Sequence, residues 1–310
     1  MIVSEAKPMH ASALAIFDPR AARESFGVAL SIQHAIGNLA IEALTREVML
    51  APKPGLVSPA DSGSHRDMDL QTFQMSLIAL ASYFPKMAAL GMASAEFEAL
   101  RECGLAAEER MLAATGGVNT HRGAIFSMGL LAAAAGKLAV KGAQIAADHV
   151  CAVVANQYAP SIIKYADAAG TAHSLHVRRI GNLQGARAEA CAGFPTALRI
   201  GLPAYRFALC ETGCDKLAAI QSLFALISRI DDTNLLKRGG EVGLQFAKRR
   251  ASDFLIRGGV SARDWSSFAS RIHEEFVGQN LSPGGSADLL GVTLFLEGLY
   301  RLPDATCTSV

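Results

Sequence analysis

Apolar residues recur in this chain at helical spacing and almost nowhere at strand spacing. They fall at Ile32, Ile36, Leu39, Ala43, Leu44 and Val48, one stripe along a 3.6-residue helix. Similar stripes run near 70–90, 94–115, 121–140, 142–157, 215–230, 240–257, 262–278 and 286–300. The chain holds 55 alanines, which favour the same state because alanine loses no side-chain freedom in a helix. No convincing period-two run and no hairpin signature is found. The expected fold class is all-α, a single compact multi-helix domain of about eight to eleven helices. Pro52-Lys53-Pro54-Gly55, Gly116-Gly117, Gly239-Gly240 and Pro283-Gly284-Gly285 are expected to interrupt those helices. No linker or repeat divides the chain. The expected organisation is a flexible extension over 1–25, a catalytic domain over 26–303 and a tail over 304–310.

The charge balance narrows the function. Lys and Arg total 29 against 28 Asp and Glu, which argues against a nucleic-acid binder and its basic stripe. Hydrophobic residues make up 51%, enough for a large core and too many for bulk disorder. No apolar run reaches the roughly 18 residues of a spanning helix. Between Glu5, Lys7 and Asp18, Arg20 there is no apolar signal segment. Neither membrane nor nucleic acid is therefore expected as a partner. A homodimer is compatible with this pattern and not fixed by it. The six cysteines read as thiols, and the lone pair Cys210 and Cys214 lacks the further ligands of a zinc site.

The helix breaks carry the chemistry-bearing residues. Glu47 lies on or beside an apolar face, where a carboxylate is costly unless paired or metal-bound. Lys53 follows between two prolines that stiffen its backbone. The segment from Asp61 to Asp69 holds His65 and Asp67, spaced so that both can reach a cation from a loop, or else a capped helix start. Glu108 is a second carboxylate on an apolar face. The run Gly116-Gly117-Val118-Asn119-Thr120-His121-Arg122-Gly123 then feeds a strongly apolar helix, the pattern of an anion site at a helix N-terminus. Arg187 and Glu189 read as a surface ion pair or as site residues. Asp231 and Asp232 adjoin, a repulsion relieved by a cation or by solvent, and Asn234 and Arg238 follow. Ser282, Gly284, Gly285 and Asp288 suit helix capping, phosphate or metal chemistry equally. There is no P-loop, no G-x-G-x-x-G and no H-E-x-x-H.

Six segments in this order resemble the triphosphoribosyl-dephospho-CoA synthase family. They are EVMLAPKPGLV (47–57), GSHRDM (63–68), ATGGVNTHRGAIFSMGLL (114–131), RAEA with AGFP (187–195), DTNLLKRGG (232–240) and LSPGGSADLL (281–290). The pattern looks closest to the malonate-decarboxylase branch rather than the citrate-lyase branch. Arg122 stands where Lys is common in the family, and Lys237 where His is common.

The resemblance implies an all-helical enzyme using ATP and 3′-dephospho-CoA as substrates, with Mg²⁺ (Mn²⁺ fits nearly as well), and places it in the cytoplasm, where ATP and CoA precursors are found. The 5-triphosphoribosyl group would pass to the 2′-hydroxyl of dephospho-CoA and adenine would leave. The product is the prosthetic-group precursor for an acyl-carrier subunit. Under this reading Glu47 and Glu108 are the expected general base or oxocarbenium stabiliser. Lys53, Asn119, Thr120, His121, Arg122, Arg187, Asn234, Arg238, Ser282, Gly284 and Gly285 are the expected substrate and phosphate contacts. His65, Asp67, Asp231, Asp232 and Asp288 are the expected metal ligands. A Mg²⁺-dependent N-glycosidase or ADP-ribosyl hydrolase would need nearly the same residue types, with water as acceptor.

Overall fold

A computed structural model describes residues 19–168 and 185–302. Every regular element among them is helical, as the periodicity predicts. Helix α1 (Pro19–Val48) begins inside the stretch expected to be an extension, and residues 1–18 and 303–310 lie outside the described residues. The chain continues through α2 (Leu70–Leu80), α3 (Tyr83–Met92), α4 (Phe97–Ala114) and α5 (Arg122–Ala139). Helix α6 (Ala147–Val153) runs through a π turn into α7 (Ala159–Ala168), and a short α8 (Ala186–Cys191) follows. A second π turn leads into α9 (Leu202–Thr212), then α10 (Asp215–Arg229), α11 (Thr233–Ile256), α12 (Trp265–Gly278) and α13 (Gly284–Gly298).

The breaks fall where the sequence marks them. Helix α4 stops at Ala114, and Gly116 and Gly117 take the left-handed conformation that follows. Helix α11 bends at Gly240, whose backbone leaves the helical region. The stretch expected as one helix over 142–157 is instead α6 and its π turn, and α9 is an element the stripes do not indicate. Pro203 sits in the first turn of α9, where a missing N–H costs nothing, so proline starts a helix there.

Helix α5 forms the centre. Ala132, Ala133, Ala134 and Ala135 are all fully buried, so it is covered on every side. Helices α1, α3, α4 and α13 pack against it, and α10 closes the core beyond α13. Leu44, Leu80, Phe84, Met111, Phe224, Phe254 and Phe295 fill the interior. Each such side chain contributes roughly 1.5–3 kcal/mol on burial. Leu70–Met92 is apolar and long enough to cross a membrane, but it breaks between α2 and α3 and sends Leu80, Tyr83, Phe84 and Met87 into this core. Five cysteines among the described residues are free thiols, as expected.

Candidate active site

This packing brings the C-terminus of α1 to the N-termini of α5, α11 and α13. Glu47 occupies the last turn of α1 on its buried stripe. Pro52 and Pro54 end the helix and turn Lys53 back beneath it. The Lys53 Nζ lies 2.8 Å from Glu47 Oε1 and 2.9 Å from the Glu47 carbonyl oxygen, with both side chains buried. The ammonium thus neutralises the carboxylate and caps the negative end of α1. It keeps a third donor for other use.

The loop after Lys53 is laced to residues 276–282. Gly55 has φ +66°, and a Cβ there would lie 2.0 Å from the Leu281 carbonyl oxygen, so only glycine fits. Ser64 Oγ donates to Leu281 O at 2.7 Å, and His65 Nε2 lies 2.8 Å from Ser282 Oγ. Arg238 donates to Ser64 O at 2.9 Å and to Asn280 Oδ1 at 3.0 Å, and approaches His65 Nδ1 at 3.2 Å. Arginine has only donors, so His65 Nδ1 accepts and Nε2 carries the proton. Burial, with the Arg238 charge behind it, holds His65 below its ordinary range. His273 ties the same loop down through Lys53 O at 2.7 Å and Asp61 Oδ2 at 3.0 Å.

The adjacent aspartates part company. Asp231 points outward and pairs with Lys248. Asp232 points inward and serves two helices. Its Oδ1 accepts from the Asn234 N–H at 2.9 Å and its Oδ2 from the Ser286 N–H at 2.8 Å and Ser286 Oγ at 3.0 Å. The Gly285 N–H adds to these. Desolvation still raises its pKa, because these donors offset burial only in part. The first-turn donors of α13, expected to hold phosphate, are therefore largely taken by a carboxylate of the chain itself. Gly284 N–H bonds Ser282 O, and Asn234 lies against Gly284.

Asp288 is a strongly perturbed acid of the site. It is enclosed by protein but keeps part of its surface accessible. Desolvation, then the charges of Glu47 and Asp232, push its pKa up to about 8, against a single backbone N–H from Ala124. The carboxyl lies against the first turn of α5, where a Cβ on Gly123 would sit 1.9 Å from Asp288 Oδ2. Gly123→Ala must displace Asp288. It is expected to cost about 1–3 kcal/mol of stability, the scale of overpacking. It should also lower turnover at least roughly tenfold by the misplacement. Denaturant melts and product formation measure both.

The loop before α5 places its residues differently. Asn119 Oδ1 accepts from the Arg122 N–H at 3.2 Å, and Arg122 pairs with Glu108. Glu108 therefore lies partly exposed against Arg122 rather than with the buried acids. His121 is buried at the start of α5 with Nδ1 2.7 Å from Ser76 Oγ. Burial, then the Lys53 charge, lowers its pKa to about 3, so the ring is neutral. Its Nε2 and the neighbouring Thr120 Oγ1 are buried without a partner among the described residues. Arg187 is exposed on α8, and Glu189 bonds Thr196 rather than Arg187.

The expected metal set is not assembled. Among the described residues no three His, Cys, Asp or Glu side chains are placed to hold an ion. His65 has both nitrogens engaged, Asp67 is solvent-facing 3.6 Å from His65, Asp231 is paired with Lys248, and Asp232 is saturated by helix N–H groups. This donor set does not fit a resident ion. It is compatible with an ion carried on substrate phosphates, which needs one or two protein carboxylates at most. Ser76, His273 and Asn280 were missed by the motif reading, and nothing around them in the sequence marks them. Ser286 lies within the 282–288 motif as a capping residue but was given no site role.

A relative from Klebsiella pneumoniae, a 2-(5″-triphosphoribosyl)-3′-dephosphocoenzyme-A synthase, is 42% identical over 265 residues, 82% of this chain and 87% of its own. One of the same name from Escherichia fergusonii is 40% identical over 276 residues, 84% and 90% of the two chains. A relative from Acinetobacter calcoaceticus is 40% identical over 266 residues, 85% and 91%. No solved structure matches the chain. The model of one enzyme family, described as ATP:dephospho-CoA triphosphoribosyl transferase, matches residues 33–306, which include all four converging helix ends. With that span matched and relatives of this identity, the chain belongs to the ATP:dephospho-CoA triphosphoribosyl transferase family.

Proposed function

We propose that this chain moves the 5-triphosphoribosyl group of ATP to the 2′-hydroxyl of 3′-dephospho-CoA, releasing adenine. The observation that carries the reading is the cluster of buried Glu47 and Asp232 with the half-buried Asp288, and Lys53 as its near cation. In this reaction the 2′-oxygen bonds to the ribose C1 as the bond from C1 to adenine breaks. The hydroxyl proton passes to a carboxylate while the departing adenine nitrogen takes a proton from a protonated acid such as Asp288, so no proton is gained or lost overall. Positive charge builds on the sugar ring, and carboxylates facing it stabilise that charge. Glu47, paired with Lys53, suits this role. Asp288 suits proton transfer, because its pKa of about 8 lies near working pH.

Lys53, Thr120 and His121 suit the triphosphate, with Arg122 held toward it by Glu108. Mg²⁺ or Mn²⁺ bound to the triphosphate would neutralise phosphate charge, with Glu47 and Asp288 as the nearest acids. The product would serve the acyl-carrier subunit of malonate decarboxylase, the branch whose motifs the chain most resembles. The catalytic unit would span 26–303.

The experiment incubates the purified protein with ATP, dephospho-CoA and Mg²⁺ and follows adenine and the dephospho-CoA adduct by mass spectrometry. Both products, each requiring dephospho-CoA, are expected. Adenine without adduct makes the chain a glycosidase, and no adenine with either metal removes the proposed activity.

A further inference from the structure

His121 presents an unusual account of its hydrogen bonds. Its ring is wedged between α2 and α4. Phe73 packs edge-on with ring centres 5.0 Å apart, and the His121 backbone N–H points at Met111 Sδ at 3.3 Å. Nδ1 meets Ser76 Oγ at 2.7 Å, while Nε2 is buried with no hydrogen-bond partner among the described residues. Ser76 is fully buried, and its hydroxyl has no other partner among the described residues.

Two proton placements are available to a neutral ring. If Nδ1 carries the proton, Ser76 accepts it. The serine proton is then stranded in the core, and Nε2 is an empty acceptor. If Nε2 carries the proton, the Ser76 hydroxyl donates to Nδ1, and only the Nε2–H lacks a partner. The second placement leaves one orphan group instead of two, and orphan groups are what buried structure avoids.

We propose that Ser76 is a positioning residue that locks His121 in its Nε2–H form, so that a neutral donor awaits a phosphate oxygen of the bound nucleotide. This rests on the reading of His121 as facing the triphosphate. A neutral donor has a specific use here. It adds a hydrogen bond to phosphate beside Lys53 without placing a second cation next to the first.

Ser76→Ala removes only the hydroxyl. It is expected to raise the KM for ATP about tenfold, the scale of one hydrogen bond, while kcat and the KM for dephospho-CoA stay within about twofold. Ser76→Thr, which restores the hydroxyl, should recover ATP binding. A purely structural serine would shift both KM values together. Nitrogen NMR of the ligand-free enzyme should show His121 with Nε2 protonated and Nδ1 bare, and a tautomer mixture in Ser76→Ala. An Nδ1–H ring in the wild type, or a folded Ser76→Ala protein with unchanged ATP affinity, overturns the proposal. If His121→Ala also binds ATP normally, the placement of His121 at the triphosphate fails instead, and the proposal with it.

Discussion

Lys53→Met is expected to destabilise the protein by about 3–5 kcal/mol, the cost of breaking a buried ion pair from one side. Turnover should fall below detection. The reason is local: both partners are buried, and Lys53 satisfies the Glu47 carboxylate and the Glu47 carbonyl together. Without the ammonium, Glu47 adds an uncompensated charge to a place that already holds Asp232 and Asp288. The paired variant Glu47→Gln with Lys53→Met should regain much of the stability, because an amide leaves no charge behind, and should regain no activity. Urea titrations of the two variants, read beside adenine release, test this. A single Lys53→Met protein as stable as the wild type would mean that the pair does not hold this end of α1.

Asp288→Asn is expected to separate stability from activity. Turnover should drop by roughly 100-fold or more, the scale for removing a proton-transfer group or a key charge. Stability at neutral pH should rise. The pKa of Asp288 is raised to about 8 from an unfolded value near 3.8, so the folded protein keeps a proton that the unfolded chain has released. Its contribution is fully present below about pH 4, is lost progressively as pH rises to about 8, and levels off above that. Asparagine carries no such proton, so the variant should lack this part of the slope. Melting temperatures of both proteins between pH 5 and 9 supply the check, over the range where Asp288 titrates. Parallel pH curves would place Asp288 among ordinary carboxylates.

Much of the fold could be read before any coordinates. Period-3.6 stripes mark most helices, because a helix buries one face and its sequence must repeat accordingly. The glycine and proline breaks fall where expected, since those residues act on the backbone directly. Helix α9 escaped because Pro203 looks like a stop unless its place in the first turn is known. Among candidate site residues, Glu47 and Lys53 were legible as a buried carboxylate and a fixed cation six residues apart. Glu108 was expected as a companion to Glu47. It looks equivalent in sequence, but Arg122 holds it on a partly exposed face.

What the sequence determined by itself is local: the all-helical class, the ends of most helices, and a set of polar residues crowded at those ends. Which of those residues meet was decided by tertiary packing. Asp231 and Asp232 are neighbours in the chain, yet one reaches Lys248 and the other the N-terminus of α13, 54 residues on. Asp288 is paired with the first turn of α5, a helix more than a hundred residues earlier. Ser76, which touches His121, sits in an apolar helix with nothing around it to mark it. Local periodicity reports only which face of a helix is buried. It carries no record of which other helix end will lie against that face, and the charges at this site are set by that second fact.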